Sequence, residues 1–226
     1  MLFKGEVDMK KKPYVIIGAG AFLSDIFDLI HANDGKVAKI YQNVPEQRKE
    51  RVLELRKRIS LLGYEVQCFD SLDGFTPDPG CCYVTGCIPP NRDVLVDRLK
   101  TSYGLMITQL IHPKACLGAN VRIGEGVIVN AGSVIAPNAH LDNFCSVNRG
   151  ATIGHDAYIG KYARIGPSVA VAGSTKIGDK CTVGIGATIL DAVHIGEATV
   201  VGAGSVVTRD LPDGVVAYGV PARIIR

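Results

Sequence analysis

From Ile111 to Val207 the chain carries Ile, Leu or Val at every sixth position without a slip, seventeen places in all. The series runs Ile111, Leu117, Ile123, Val129, Ile135, Leu141 and onward to Ile195, Val201 and Val207. The position after the aliphatic is mostly Gly, Asn, Ala or Asp, as at Gly118, Asn148 and Gly154. The fourth position after it is small or β-branched, as at Ala139, Ala151 and Thr175. A period of six matches neither the 3.6 of a helix nor the 2 of an alternating strand. It predicts a short strand, a corner and a repeat, with three hexads closing one triangular coil. The aliphatic fills the narrow interior, and Gly or Asn near the corner supplies backbone conformations that branched residues resist. Each coil then covers its neighbour, and only the ends of the stack need caps.

Residues 13–110 have another rhythm. "PYVIIGAGAF" reads as an apolar strand running into glycines, and "FLSDIFDLIHAND" follows with helical spacing before a break at Gly35. "KVAKIY", "YEVQCF", "CCYVTG" and "LMITQLI" read as further strands. "NRDVLVDRLKTSYG" reads as a helix capped by Asn91 and stopped at Gly104. Alternating strands and helices imply an open parallel sheet whose ligand site lies at the strand C-terminal ends. Gly18 and Gly20 form a tight turn suited to part of a nucleotide. Leu23, however, stands where a dinucleotide fingerprint has its third glycine, and Asn43 stands near its acidic position, which argues against a nicotinamide cofactor. "PEQRKERVLELRKRISLLG" predicts a charged helix with a solvated face.

Composition narrows the function. A formal charge of only +3 gives no basic stripe for nucleic acid. No apolar run reaches membrane-spanning length, and the charged start "MLFKGEVDMKKKP" does not read as a signal peptide. With 26 glycines and no tryptophan, the core must be built from small branched side chains. The 7 cysteines show no metal-ligand spacing, and an odd number of thiols without a secretion signal favours a reducing cytoplasm.

The unbroken hexads, together with the tail "VGAGSVVTRDLPDGVVAYGVPARIIR", resemble the left-handed parallel β-helix of bacterial hexapeptide acyltransferases. Pro212 withholds a backbone donor and is expected to discourage further strand stacking. Placed behind a Rossmann-like βαβ domain, the array resembles the acetyltransferases of nucleotide-linked amino sugars and their sialic acid O-acetyltransferase relatives. The resemblance implies an α/β domain over residues 13–110 after an extension of residues 1–12. A left-handed β-helix over 111–211 and a C-terminal cap over 212–226 complete the chain. It further implies acetyl-CoA as co-substrate, no metal, a homotrimer, and the nucleotide sugar held by the N-terminal domain.

Within the array, "VNRGATIGHDAYIG" sets His155 beside Asp156. Ile153 and Ala157 take the inward places, so His155 projects outward and has no packing role. An imidazole, which ordinarily titrates at about 6.5, can accept a proton at neutral pH, and a carboxylate can fix its tautomer. The resemblance, carried by Asn148, Ala151, His155 and Asp156, makes His155 the general base and Asp156 its orienting carboxylate, with Asn148 on the substrate side. Gly173 stands eighteen residues after His155, one coil further on. It matches the family glycine whose amide meets the acetyl carbonyl. Arg164 and Pro221 fall where relatives contact the coenzyme, and Gly18 and Gly20 where they hold the sugar nucleotide.

His31, His112, His140 and His194 read as surface or interface residues. A β-helix carbonic anhydrase is disfavoured because Gly160, not histidine, stands five after His155. The leading expectation is N-acetylation of a UDP-linked 4-amino-dideoxy sugar for surface glycan synthesis, by direct transfer in a ternary complex. O-acetylation of a sugar or sialic acid would use the same residues. A non-catalytic β-helix scaffold is the alternative of another class.

Overall fold

The computed structural model describes residues 12–18, 22–42, 59–60, 65–86 and 92–226. The chain divides into two compact units, Met1–Thr108 and Gln109–Arg226. Gly20, Asn43, Cys87, Asn91 and most of the expected charged helix lie outside the described residues.

The first unit is built on a parallel sheet of β1 (Tyr14–Ile17), β2 (Val37–Tyr41), β3 (Gln67–Phe69) and β4 (Cys82–Thr85), in the order β3-β2-β1-β4. β1 and β4 are buried along their whole length, as unbroken apolar runs covered on both faces should be. Helix α1 (Leu23–Ala32) buries Leu23, Ile26, Phe27, Leu29 and Ile30, a stripe at helical spacing. Helix α2 (Arg92–Tyr103) ends before Gly104, whose φ is +62° and whose N–H donates to Lys100 O. The segment read as a strand at "LMITQLI" splits: Ile107 bridges Tyr83, while Leu110 and Ile111 open the second unit. Several of the chain's few aromatics gather in the first unit, with Tyr41 stacked on Phe69 and Phe75 set edge-on to Tyr41, Tyr83 and Tyr103.

The second unit is a three-sided parallel β-helix. Its two-residue strands run from β5 (Leu110–Ile111) to β21 (Val206–Val207), one per hexad, and each pairs with the strand eighteen residues away. They form a six-stranded, a five-stranded and an eight-stranded face. The aliphatic ladder is buried from Val129 through Val207. At the open first coil Leu117 remains 41% exposed, because no coil lies beneath it. The fourth places are equally buried, and their hydroxyls are satisfied. Ser133 donates to Asn148 O at 3.0 Å, Thr175 to Leu190 O at 3.1 Å and Thr199 to Pro212 O at 2.7 Å.

Two expectations are corrected. Gly or Asn is expected near the corner, but the left-handed residue, the third after the aliphatic, is not confined to them. From Asn120 to Gly204 that place has positive φ in every hexad, and it accepts Phe144, Asp156, Tyr162 and Lys180 besides Gly and Asn. None of these is β-branched, the class that pays most in this region. The glycine after the aliphatic has a different duty: a Cβ on Gly154 would run into the backbone of Ala172 and Gly173 in the next coil. Stacking also continues past Pro212. Strand β22 (Val216–Gly219) pairs in parallel with β20 (Val200–Val201), then folds back antiparallel with β23 (Ala222–Ile224).

Candidate active site

His155 and Asp156 form a corner between β12 (Thr152–Ile153) on the six-stranded face and β13 (Tyr158–Ile159) on the five-stranded face. Ile153 and Ala157 point inward at 1% exposure each and anchor both sides. The backbone of the corner is tied to the coils on either side: Asp156 N–H donates to Pro137 O at 3.1 Å, and His155 O accepts from Ser174 N–H at 2.8 Å. Asp156 occupies the left-handed place with φ 58°, which a short polar side chain tolerates better than most.

His155 Nδ1 lies 2.7 Å from Asp156 Oδ2, and the two side chains are 64% and 52% exposed. The hydrogen bond with His155, followed by one from the Asn138 side chain, holds the Asp156 carboxyl below its ordinary value. An ionised carboxylate can only accept, so Nδ1 carries a proton, and in the neutral ring Nε2 then presents a lone pair. Gly173 makes room for that ring: a Cβ there would lie 2.6 Å from His155 Nε2 and 2.7 Å from Cε1. Geometrically, this is an imidazole with a carboxylate on Nδ1, set in the open and supported by the coil after it.

The Gly173 amide is already engaged, donating to Asp191 Oδ1 at 3.0 Å. The same rung recurs elsewhere, with Lys161 N–H on Asp179 Oδ1 at 2.8 Å and Glu125 N–H on Asn143 Oδ1 at 2.8 Å. For the amide to meet a thioester oxygen, Asp191 must turn away.

Other expected residues are not brought to this corner. Asn148 lies on the edge between the eight-stranded and six-stranded faces, where its Oδ1 accepts from Arg149 N–H at 2.8 Å and from Asn130 Nδ2 at 3.5 Å. Arg164 stands on the eight-stranded face in β14 (Arg164–Ile165), half-buried, and that burial lowers its pKa. Pro221 follows a cis peptide at the tip of the β22–β23 hairpin and is exposed. His112, read as a surface or interface residue, is buried, and its Nδ1 accepts Lys114 N–H at 2.9 Å.

In the first unit Gly18 follows β1 with φ 90°, beside the end of β4, where the strand order of the sheet reverses. The sequence reading missed Gly86, which closes β4: a Cβ there would strike the Gly18 carbonyl oxygen. It also missed Asn138 and Asp191. Both could have been found by extending the eighteen-residue period from Asp156 and Gly173. Among the described residues no group of three His, Cys, Asp or Glu side chains could hold a metal ion, and no helix is long and apolar enough to cross a membrane.

The fold defines a class, and the comparisons agree on it. Residues 174–209 match the model of the bacterial transferase hexapeptide family (six repeats). PerB from Caulobacter crescentus, solved in complex with CoA and GDP-perosamine, is 32% identical over 95% of this chain and 97% of its own, with a TM-score of 0.80. A single-histidine variant of perosamine N-acetyltransferase from the same organism, with the same ligands, is 30% identical over the same shares, with a TM-score of 0.78. The acetyltransferase domain of PglB from Neisseria gonorrhoeae FA1090, in complex with acetyl coenzyme A, shares the fold. It is 24% identical over 95% of this chain and 99% of its own, with a TM-score of 0.80. No match was found among the curated proteins. The chain belongs to the hexapeptide-repeat sugar N-acetyltransferase family, and it is an acyltransferase.

Proposed function

We propose that this protein transfers the acetyl group of acetyl-CoA to the amine of a nucleotide-linked amino sugar, with His155 as general base. The observation that carries the reading is the His155–Asp156 pair, 2.7 Å apart on an exposed corner that no packing demand explains. The neutral amine attacks the thioester carbonyl while His155 Nε2 takes its proton. The tetrahedral intermediate expels the CoA thiolate, which receives that proton from the imidazolium and leaves the amide and free CoA. Asp156 steadies the cation formed in between. Once Asp191 turns aside, the Gly173 amide faces the developing oxyanion.

Direct transfer in a ternary complex fits the thiols. Cys145 and Cys181 are buried inside the coil. Cys116 is exposed on the six-stranded face but two strands from Thr152, about 10 Å at ordinary strand spacing.

Gly18, beside the ends of β1 and β4, is assigned to the sugar nucleotide, together with Gly20, which lies outside the described residues. Arg164, Pro221 and Asn148 are assigned to the coenzyme and to the substrate across an interface. Because they lie on other edges and faces than His155, they can serve one site only if neighbouring copies combine, which favours a homotrimer. GDP is favoured as the nucleotide, since the relatives of 30–32% identity were solved with GDP-perosamine. UDP, implied by the family resemblance, is the second candidate. The setting is cytoplasmic surface-glycan synthesis.

The test incubates the parent and His155→Ala with acetyl-CoA and either GDP-perosamine or a UDP-4-amino-4,6-dideoxy sugar, and follows products by mass spectrometry. The parent acetylates one of them, and the variant loses about 10²- to 10⁴-fold in rate. A parent that does not bind acetyl-CoA sinks the reading. An acetylated ester in place of an amide moves it to a hydroxyl acceptor.

A further inference from the structure

Asn120, Asn138 and Asp156 occupy the same left-handed corner place in three successive coils, with φ of 57°, 62° and 58°. Their backbones are stacked, Asn138 N–H donating to Ala119 O at 3.0 Å and Asp156 N–H to Pro137 O at 3.1 Å. Corner geometry alone does not require this column to be polar, since the equivalent places on another edge hold Phe144, Tyr162 and Lys180. Here the side chains are joined. Asn120 Nδ2 donates to Asn138 Oδ1 at 3.0 Å, Asn138 holds the corresponding corner one coil before Asp156 and lowers the carboxyl's pKa, and Asp156 Oδ2 meets His155 Nδ1 at 2.7 Å.

The direction of this chain follows from its one acceptor-only member. An ionised Asp156 can only accept, so Asn138 must turn its amide nitrogen toward it and its oxygen toward Asn120, which must then donate. We infer that Asn138, locked by Asn120, is a positioning residue that holds Asp156 in the orientation that fixes the proton on His155 Nδ1. The role rests on the reading of His155 as general base. A carboxylate gripped by the imidazole and by a fixed amide has lost its free rotation. The Nε2 lone pair is thereby kept over Gly173, where the amine proton must be received. Hydrogen bonds that orient a functional histidine through its partner act in the same way at metal sites.

The test uses Asn138→Gly and Asn120→Gly in the full chain with ¹⁵N-labelled histidine. Glycine takes the corner without strain, as Gly132 and Gly150 do in this array, so only the amide is lost. Imidazole nitrogen shifts are read without substrate, beside kcat and the KM for acetyl-CoA. In the parent, Nδ1 of His155 is protonated and Nε2 is not. Asn138→Gly mixes the tautomers and lowers kcat about tenfold with KM unchanged, and Asn120→Gly does the same to a lesser degree. Parental tautomer in Asn138→Gly overturns the inference, and so does a mixed tautomer with parental kcat. If His155→Ala keeps full activity, it is the base reading that has failed, and the substrate-free tautomer still reports on the ladder.

Discussion

The imidazole of His155 rests against the α-carbon of Gly173, so closely that a methyl group there would lie 2.6 Å from Nε2. The two residues are eighteen apart and sit in successive coils. The second coil is therefore the floor of the first coil's functional side chain, and the floor is smooth because it has no side chain.

Gly173→Ala should test that relationship cleanly. Gly173 is not among the positive-φ residues, so alanine meets no backbone strain there. The new methyl can be relieved only by swinging the imidazole away, and a displacement near 1 Å at a reacting group costs about 10²-fold. The expected result is a kcat reduced about 10²-fold with a parental melting temperature. A parental kcat would mean that the ring is not held where the proton is transferred.

Asp156 should stay ionised to unusually low pH. The hydrogen bond with His155, and then that with Asn138, lowers its pKa from 3.8. A depressed carboxyl pKa contributes its stabilisation fully above 3.8, and the contribution is lost as pH falls through the lower folded value. Carboxyl ¹³C shifts followed through acid titration should therefore place the Asp156 midpoint below 3.8 in the parent and higher in His155→Ala. A midpoint at or above 3.8 in the parent would show that the contact does not persist in solution.

The β-helix was readable because its period is set by chain geometry rather than by residue preference: one aliphatic per face, repeated, leaves a mark at every sixth position. His155 was readable for the opposite reason, as a side chain with no packing role in an array that explains all its neighbours. The corner was misjudged because glycine serves two ends. Gly150 supplies a positive φ, whereas Gly154 supplies only clearance, and composition cannot separate them. Continuation past Pro212 was missed because Pro212 itself need not donate. Thr199 accepts nothing from it and instead donates to its carbonyl. Asp191 and Asn138 were missed because a lone polar residue on a coil gains meaning only through the residue eighteen places away.

The two glycine duties predict different costs. Gly150→Ala places a Cβ 3.7 Å from Ser168 Oγ, an ordinary van der Waals contact, and bears only the strain of positive φ. That strain amounts to about 1–2 kcal/mol. Gly154→Ala drives its Cβ into the backbone of Ala172 and Gly173, which cannot step aside without opening the coil. About 3 kcal/mol or more is expected, at the upper end of overpacking penalties. Chemical denaturation of both variants should rank Gly154→Ala as much the less stable, and equal midpoints would refute the distinction.

Asp191 makes the last prediction, because it holds the Gly173 amide that the proposed mechanism turns toward the oxyanion. Its Oδ1 accepts from Gly173 N–H at 3.0 Å while its side chain is exposed. A carboxylate at this place competes with the thioester oxygen twice, by occupying the donor and by repelling the charge that develops. In Asp191→Asn the bond to the amide loses its ionic character, a difference of about 1 kcal/mol before solvent screening reduces it. The KM for acetyl-CoA should fall about two- to fivefold in steady-state kinetics, with the melting temperature little changed. A KM that rises instead would assign Asp191 to holding the Gly173 peptide in place rather than to competing for it.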